Sequence, residues 1–179
     1  MGEIKSTLDL VMEKTKNLNL SDAEKQNQKN KEIESRLRGL VQKYQDGLIS
    51  MEQFTAEYET LRKDHTITGN QNVQLLKVVC SKIVLGKDNQ ALLSLLSRFA
   101  DSDIEGLTSV LQDFNTAIQA AAEAQNQIVK DRLASEHLIT GSAVVPNLQR
   151  DEDWHKMVAD IRAKFDELLR QAKIKLLAV

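Results

Sequence analysis

The stretch between Arg98 and Lys130 contains no lysine or arginine, yet a stripe with helical spacing runs through it and beyond. The positions of this stripe are Leu107, Leu111, Phe114, Ile118, Ala121, Gln125, Ile128 and Arg132. Their steps of four and three residues are the spacing of the a and d positions in a heptad repeat. The pattern therefore predicts one long helix over residues 103–136, with a seam that is apolar early and polar late.

A helix over residues 103–136 is about 51 Å long at about 1.5 Å per residue. A compact chain of 179 residues has a radius of gyration of about 16 Å, which gives a diameter of about 40 Å. The helix would therefore extend beyond a compact globule. Three arrangements accommodate it: a kink, an elongated bundle, or burial of the protruding end by a second subunit.

Composition supports helix throughout the chain. Only 7 glycines and 1 proline occur, and the common residues are good helix formers. No stretch alternates apolar and polar residues as a half-buried strand would. We expect an all-α fold, an elongated helical bundle of about six to seven helices with a long antiparallel C-terminal helix pair.

Charge and cysteine content exclude several classes of protein. The net charge is -2, so no global field draws the chain to nucleic acid or to an anionic membrane. Cys80 is the only cysteine, so no intrachain disulfide forms. The N-terminus lacks the apolar core of a signal peptide, and no run of 18 apolar residues occurs anywhere. These features predict a cytoplasmic protein that binds neither nucleic acid nor membrane.

The polar residues 65–72, which include Gly69, suggest a boundary between two parts of the chain. Residues 1–64 would then form an N-terminal arm and a helical hairpin, and residues 73–179 the main helical bundle. A single domain over residues 1–179 is the alternative. In the arm, Leu8 and Val11 belong to a narrow apolar stripe that is stable only against another surface.

The first hairpin has clear local signals. A helix ends at Gly47, and Ser50 and Gln53 form a capping box that begins the next helix. Residues 40–62 resemble the short helical hairpins of the SHOCT type, in which a glycine ends one helix and a Glu-x-Phe pair follows the cap. That resemblance implies an oligomerisation or interaction element. Residues 2–14 resemble the start of an uncharacterised family of bacterial all-helical proteins, which implies a bacterial cytosol and no particular function.

The later helices follow from the same kind of signal. A helix is predicted from Val73 to Gly86, and the next one, up to Phe99, is expected to be the most buried. A connection over residues 138–150 leads to the last helix. Its predicted inward positions are Trp154, Met157, Ile161, Phe165, Leu168, Ala172 and Leu176. If the two last helices are antiparallel, the basic end of the second lies beside the acidic start of the first.

Motifs that carry chemistry are few. A di-metal site in a helical bundle needs two Glu-x-x-His motifs, and the chain has one, at Glu152 and His155. The P-loop, the dinucleotide fingerprint, the zinc-protease motif and the Gly-x-Ser-x-Gly elbow are absent from the sequence. We therefore predict no catalytic residue, no metal ligand and no cofactor.

The sequence favours a non-enzymatic helical interaction or assembly protein, a scaffold or adaptor, whose partner is another protein or a second copy. The candidate interface residues are Leu8, Val11, Leu107, Leu111, Phe114 and Ile118. One alternative is a helical-bundle enzyme, or a ligand- or metal-binding protein, with a pocket between helices. A nucleic-acid-associated helical protein is the other alternative.

Overall fold

The computed structural model describes residues 22–64, 72–100 and 103–178. Within these ranges it contains six α-helices and one 3₁₀ helix. The α-helices are α1 (Asp22–Gln45), α2 (Met51–Asp64), α3 (Val73–Lys82), α4 (Gln90–Phe99), α5 (Glu105–His137) and α6 (Glu152–Leu177), and the 3₁₀ helix is Leu148–Arg150. The described residues form no strand. The all-α prediction is therefore confirmed.

Helices α1 and α2 form the predicted hairpin. The backbone N–H of Ser50 donates to Gln53 Oε1 at 2.9 Å, and the N–H of Gln53 donates to Ser50 Oγ at 3.3 Å, which is a capping box. Gly47 has φ +69°, where a residue with a Cβ would be strained. These two local devices reverse the chain and place α2 against α1.

Four aromatic rings fill the space between α1, α2 and α4. Phe54 and Tyr58 are fully buried, and Phe54 lies 5.6 Å from Tyr44 and 5.7 Å from Phe99 between ring centroids. The Tyr58 hydroxyl donates to Asn72 Oδ1 at 3.2 Å. The aromatic cluster therefore fixes the hairpin on the start of α3 and the end of α4.

Helix α3 lies at the centre of the structure. Its buried residues are Leu75, Leu76, Val78, Val79 and Cys80. In α4 only Leu92, Leu95 and Leu96 are buried, so the prediction that α4 is the most buried element is wrong. The reason is that α3 packs against α1, α4 and α6 together. Burial of the Cys80 thiol raises its pKa, which keeps it protonated and unreactive.

Helix α3 ends before Gly86, the residue at which the sequence predicts its end, and a loop connects it to α4. The helix stops at Lys82, and the buried side chain of Asn89 organises the loop that follows. Asn89 Nδ2 donates to the carbonyl oxygens of Val84 and Lys87 at 2.9 and 3.0 Å, and Asn89 Oδ1 accepts from the N–H of Val84 at 3.2 Å. An amide side chain that holds a loop in this way leaves little signal in the sequence.

One hydrophobic cluster contains buried residues from both sides of the predicted boundary at residues 65–72. Ile33 and Phe54 from the first two helices share it with Leu75, Phe114 and Leu176. Residues 65–71 lie outside the described ranges, and the division into two parts stays a prediction.

Helices α5 and α6 are antiparallel, as predicted. Phe114 lies 5.7 Å from Phe165 between ring centroids, and the Arg162 guanidinium lies 5.6 Å from the centroid of the Phe114 ring. The Lys173 ammonium donates to the carbonyl oxygen of Ile83 at 2.7 Å, which ties the end of α6 to the loop after α3. The pair, called the C-terminal hairpin below, is thus attached to the other helices near the start of α5 and the end of α6.

Two details of the C-terminal hairpin differ from the prediction. Leu168 is 38% exposed and Leu169 is 4% exposed, because the end of α6 contacts α3 as well as α5 and turns a wider face inward. Among the described residues, no ion pair joins the basic end of α6 to the acidic start of α5. Arg170 instead pairs with Glu167 in its own helix at 2.7 Å.

Candidate interaction surface on the C-terminal hairpin

The structure places most of the predicted interface residues inside the chain. Leu107, Leu111 and Phe114 are 2%, 8% and 3% exposed, and Ile118 is half-buried. Leu8 and Val11 lie outside the described residues. The early part of the heptad seam therefore forms the contact between α5 and α6, and these side chains contribute little to the accessible surface.

The late part of the predicted seam departs from the heptad pattern. Ile128 is 56% exposed and Arg132 is exposed, whereas Ala122, Val129 and Leu133 are half-buried. A straight helix has 3.6 residues per turn, so a heptad stripe drifts by about 20° per repeat unless the helices supercoil. The side of α5 that faces its neighbours consequently moves away from Ile128, and this leaves an apolar residue in solvent.

Several exposed apolar side chains gather at the far end of the hairpin, in the connection over residues 138–150, called the tip loop below. Leu138 is 87% exposed, Val145 is 85% exposed and Ile139 is 48% exposed. Single exposed apolar residues are ordinary on protein surfaces, but three within eight consecutive positions of one loop are a local concentration. The sequence pattern predicts only a connection here, because no helical or strand spacing marks these apolar residues as a group.

Leu138 also has an unfavourable backbone conformation. It caps α5 with φ 54° and ψ 26°, the left-handed region, and its N–H donates to the carbonyl oxygen of Leu133. The N–H of Ile139 donates to the same oxygen at 3.1 Å. Glycine usually holds this position, since the left-handed conformation costs other L-residues about 1–2 kcal/mol. Because the Leu138 side chain is almost wholly in water, its contacts within the chain offset little of that cost.

Hydrogen bonds fix the other end of the tip loop. Asn147 Oδ1 accepts from the N–H of Gln149 at 3.1 Å. The Gln149 carbonyl oxygen lies 3.0 Å from His155 Nε2, on the first turns of α6. The tip loop is therefore held at both ends, so its apolar residues stand on a defined backbone.

Asp151 joins the tip loop to α5 and α6. Its Oδ1 accepts from the N–H of Asp153 at 2.9 Å and of Trp154 at 3.2 Å, which caps α6. Its Oδ2 accepts from Gln125 Nε2 at 3.1 Å and lies 3.8 Å from Arg132 Nη2. The hydrogen bonds from Gln125 and from the capped backbone hold the pKa of Asp151 below its usual range, with a smaller contribution from Arg132.

A second apolar feature lies at the opposite end of the hairpin. An open cavity of about 270 Å³, called the base cleft below, separates the start of α5 from the end of α6. Its lining is mostly apolar and includes Leu107, Val110, Leu168 and Ala172, with the polar residues Asp103, Gln171 and Lys175 beside them. No residue that lines it comes from α1 to α4. The base cleft is a cavity, whereas the apolar side chains of the tip loop lie exposed on the surface.

One line of uncharged side chains connects the base cleft to the tip along α5. Val110, Ala117, Ala121 and Ile128 recur at intervals of seven, four and seven residues, which places them on one side of the helix. The three smaller residues are half-buried. This line, with the exposed Ala124 beside it, is called the open face below. It lies at the edge of the seam and carries no charge.

The described residues contain neither a cluster of metal ligands nor a membrane-spanning helix. No group of three His, Cys, Asp or Glu residues lies close enough to hold a metal ion in the part of the chain that the structure describes. No described helix is both long and apolar enough to span a membrane. Glu152 and His155, the single Glu-x-x-His motif, are both exposed at the start of α6.

Comparisons with known proteins yield no match to any family model, curated protein or solved structure. The resemblances of residues 40–62 and 2–14 therefore stay predictions. The geometry of the C-terminal hairpin is what bears on function.

Proposed function

We propose that this protein is a non-enzymatic interaction or assembly protein, a scaffold or adaptor of the cytoplasm, and that its C-terminal hairpin carries the binding surface. The observation that supports this most is Leu138. Its left-handed backbone caps α5 but is unfavourable for a leucine, and its side chain is 87% exposed, so a leucine at this position adds little to the stability of the folded chain. Contact with a partner would account for a leucine side chain at this exposed position.

The surroundings of Leu138 favour a protein partner. Val145 and Ile139 extend the apolar patch, and binding energy in protein interfaces is concentrated in a few such buried anchors. Lys130, Asp131, Arg132 and Glu136 near the tip alternate in sign. An anionic lipid surface attracts a cluster of basic residues, which this mixture does not provide.

A photo-crosslinking amino acid placed at Val145 in the full chain tests this proposal in the native cell. We expect discrete covalent adducts of higher mass, because Val145 would contact the partner. The same amino acid at Leu48 is the matched control, since Leu48 is 72% exposed and lies in the turn between α1 and α2. Adducts from Val145 that are no more abundant than those from Leu48 would contradict the proposal.

A further inference from the structure

We infer that the partner of this hairpin is a second copy of the chain, and that two hairpins pack antiparallel through their open faces, with each tip loop at the base cleft of the other copy. The inference rests on the proposed function and names its partner. It explains together three features that have no role within one chain: the apolar tip loop, the base cleft and the exposed Ile128 between them.

The two ends of the hairpin match each other. In a two-fold symmetric dimer both subunits use the same surface. The exposed apolar group of each copy can therefore contact the mostly apolar cavity of the other. Val145 and Leu138 of one copy would enter the base cleft, where Leu168 of the other copy is 38% exposed. Since the arrangement is two-fold symmetric, each contact forms twice and no apolar end remains open.

The open face has a pattern of side-chain size that suits this arrangement. If Leu138 of one copy is level with Leu107 of the other, the residues ten positions inward from each are Ile128 and Ala117. Ile128, which is 56% exposed, then lies opposite an alanine. Fourteen positions inward, Ala124 lies opposite Ala121, and these small residues let the two α5 helices approach closely near the two-fold axis.

The area is sufficient for a stable dimer. From Leu107 to Leu138 the hairpin is about 46 Å long at about 1.5 Å per residue, and two helices side by side are about 20 Å wide. One face of the hairpin therefore offers about 900 Å² per copy, or about 1,800 Å² in total, against about 1,600 Å² in a standard stable interface. The part of this face that α5 contributes, the open face, is also uncharged, as interface centres usually are.

Two single-cysteine variants of the full chain, Ile128→Cys and Ala117→Cys, test the arrangement. When the two variants are mixed and treated with a short bismaleimide, a covalent dimer of twice 20.1 kDa should form. Either variant treated alone should give little covalent dimer. In the antiparallel register, identical positions are about 16 Å apart, because eleven residues at about 1.5 Å separate residues 117 and 128. The native Cys80 is buried and does not compete. If Ile128→Cys alone gave as much covalent dimer as the mixture, the antiparallel register would be overturned.

Light scattering of non-cross-linked protein supplies the second measurement. Wild type should be a dimer, and Ile128→Asp should weaken dimerisation by at least about 100-fold, since a charge would be buried at the interface. Gln119→Asp introduces the same charge on the other side of α5, at an exposed position, and should leave the dimer intact. A wild-type monomer at all concentrations overturns the inference, and so do equal effects of the two variants. If the wild type is a monomer but the photo-crosslinker at Val145 still forms adducts in cells, the proposed function stands with a different partner. If the adducts are absent as well, the proposed function is contradicted too.

Discussion

Phe114→Ala should lower the free energy of unfolding by about 3–5 kcal/mol, the usual effect of removing a buried phenylalanine. Phe114 is 3% exposed and packs against Phe165, with the Arg162 guanidinium over its ring. It also approaches the loop after α3, where a Cβ built on Gly86 would lie 3.4 Å from Phe114 Cε1. The ring therefore joins α5, α6 and the other helices, and urea unfolding measures its contribution.

The matched control for Phe114→Ala is Ile128→Ala. Both residues belong to the heptad stripe of α5, but Ile128 is 56% exposed, so its replacement should change the stability of the monomer by less than about 0.5 kcal/mol. The two substitutions should thus separate folding from association, with Phe114 acting on the first and Ile128 on the second. If Phe114→Ala left stability unchanged and weakened association alone, the ring would be an interface residue, as the sequence pattern by itself suggests.

Asp151→Ala should lower the melting temperature by several degrees. The substitution removes the N-cap of α6 and leaves Gln125, which is 4% exposed, without the acceptor of its side-chain N–H. Asp151→Asn should have a smaller effect because asparagine is also a good N-cap. Asp153→Ala is the control in the same turn, since the Asp153 carboxylate is exposed and lies 3.8 Å from Lys156 Nζ.

The contribution of Asp151 should depend on pH. Its pKa in the folded chain is below the ordinary value of an aspartate carboxyl, so the carboxylate stabilises the folded state at neutral pH. This stabilisation is complete above the unfolded pKa and is lost as the pH falls through the folded pKa. The difference in melting temperature between wild type and Asp151→Ala should therefore be constant from pH 7 to about pH 5 and shrink below about pH 4. A difference that grows as the pH falls would contradict the assigned role.

Local signals in the sequence predict the helices well. The Ser50 and Gln53 capping box, the acidic start of α6 and the glycine at position 47 all lie where the pattern places them. These signals act through hydrogen bonds to the nearest turn of backbone, so a short window of sequence contains them in full. The long helix α5 is predicted to within two residues at its start and one at its end.

The faces of the helices are harder to predict because they depend on distant neighbours. Leu168 and Leu169 are adjacent and equally apolar, and only the position of α3 decides which of them is buried. In α5 the heptad pattern continues through Ile128, whereas the helix itself turns that residue outward. The candidate interaction surface consequently escaped prediction, since its signal is apolar residues that the fold leaves unused.

Leu138 provides the most direct test of the claim that the hairpin tip serves binding and not folding. Glycine at position 138 would relieve the left-handed conformation, and the lost side chain is 87% exposed. Leu138→Gly and the chain with Leu138 intact are both measured in the Ile128→Asp background, so that association does not contribute to the melting temperature.

In that background, we expect Leu138→Gly to keep or raise the stability of the monomer, by up to about 1 kcal/mol, which is about 2–4 °C in melting temperature for a chain of this size. In the otherwise wild-type chain the same substitution should weaken dimerisation. A fall of the monomer's melting temperature by about 2–4 °C or more would show that Leu138 stabilises the fold, and would contradict the claim.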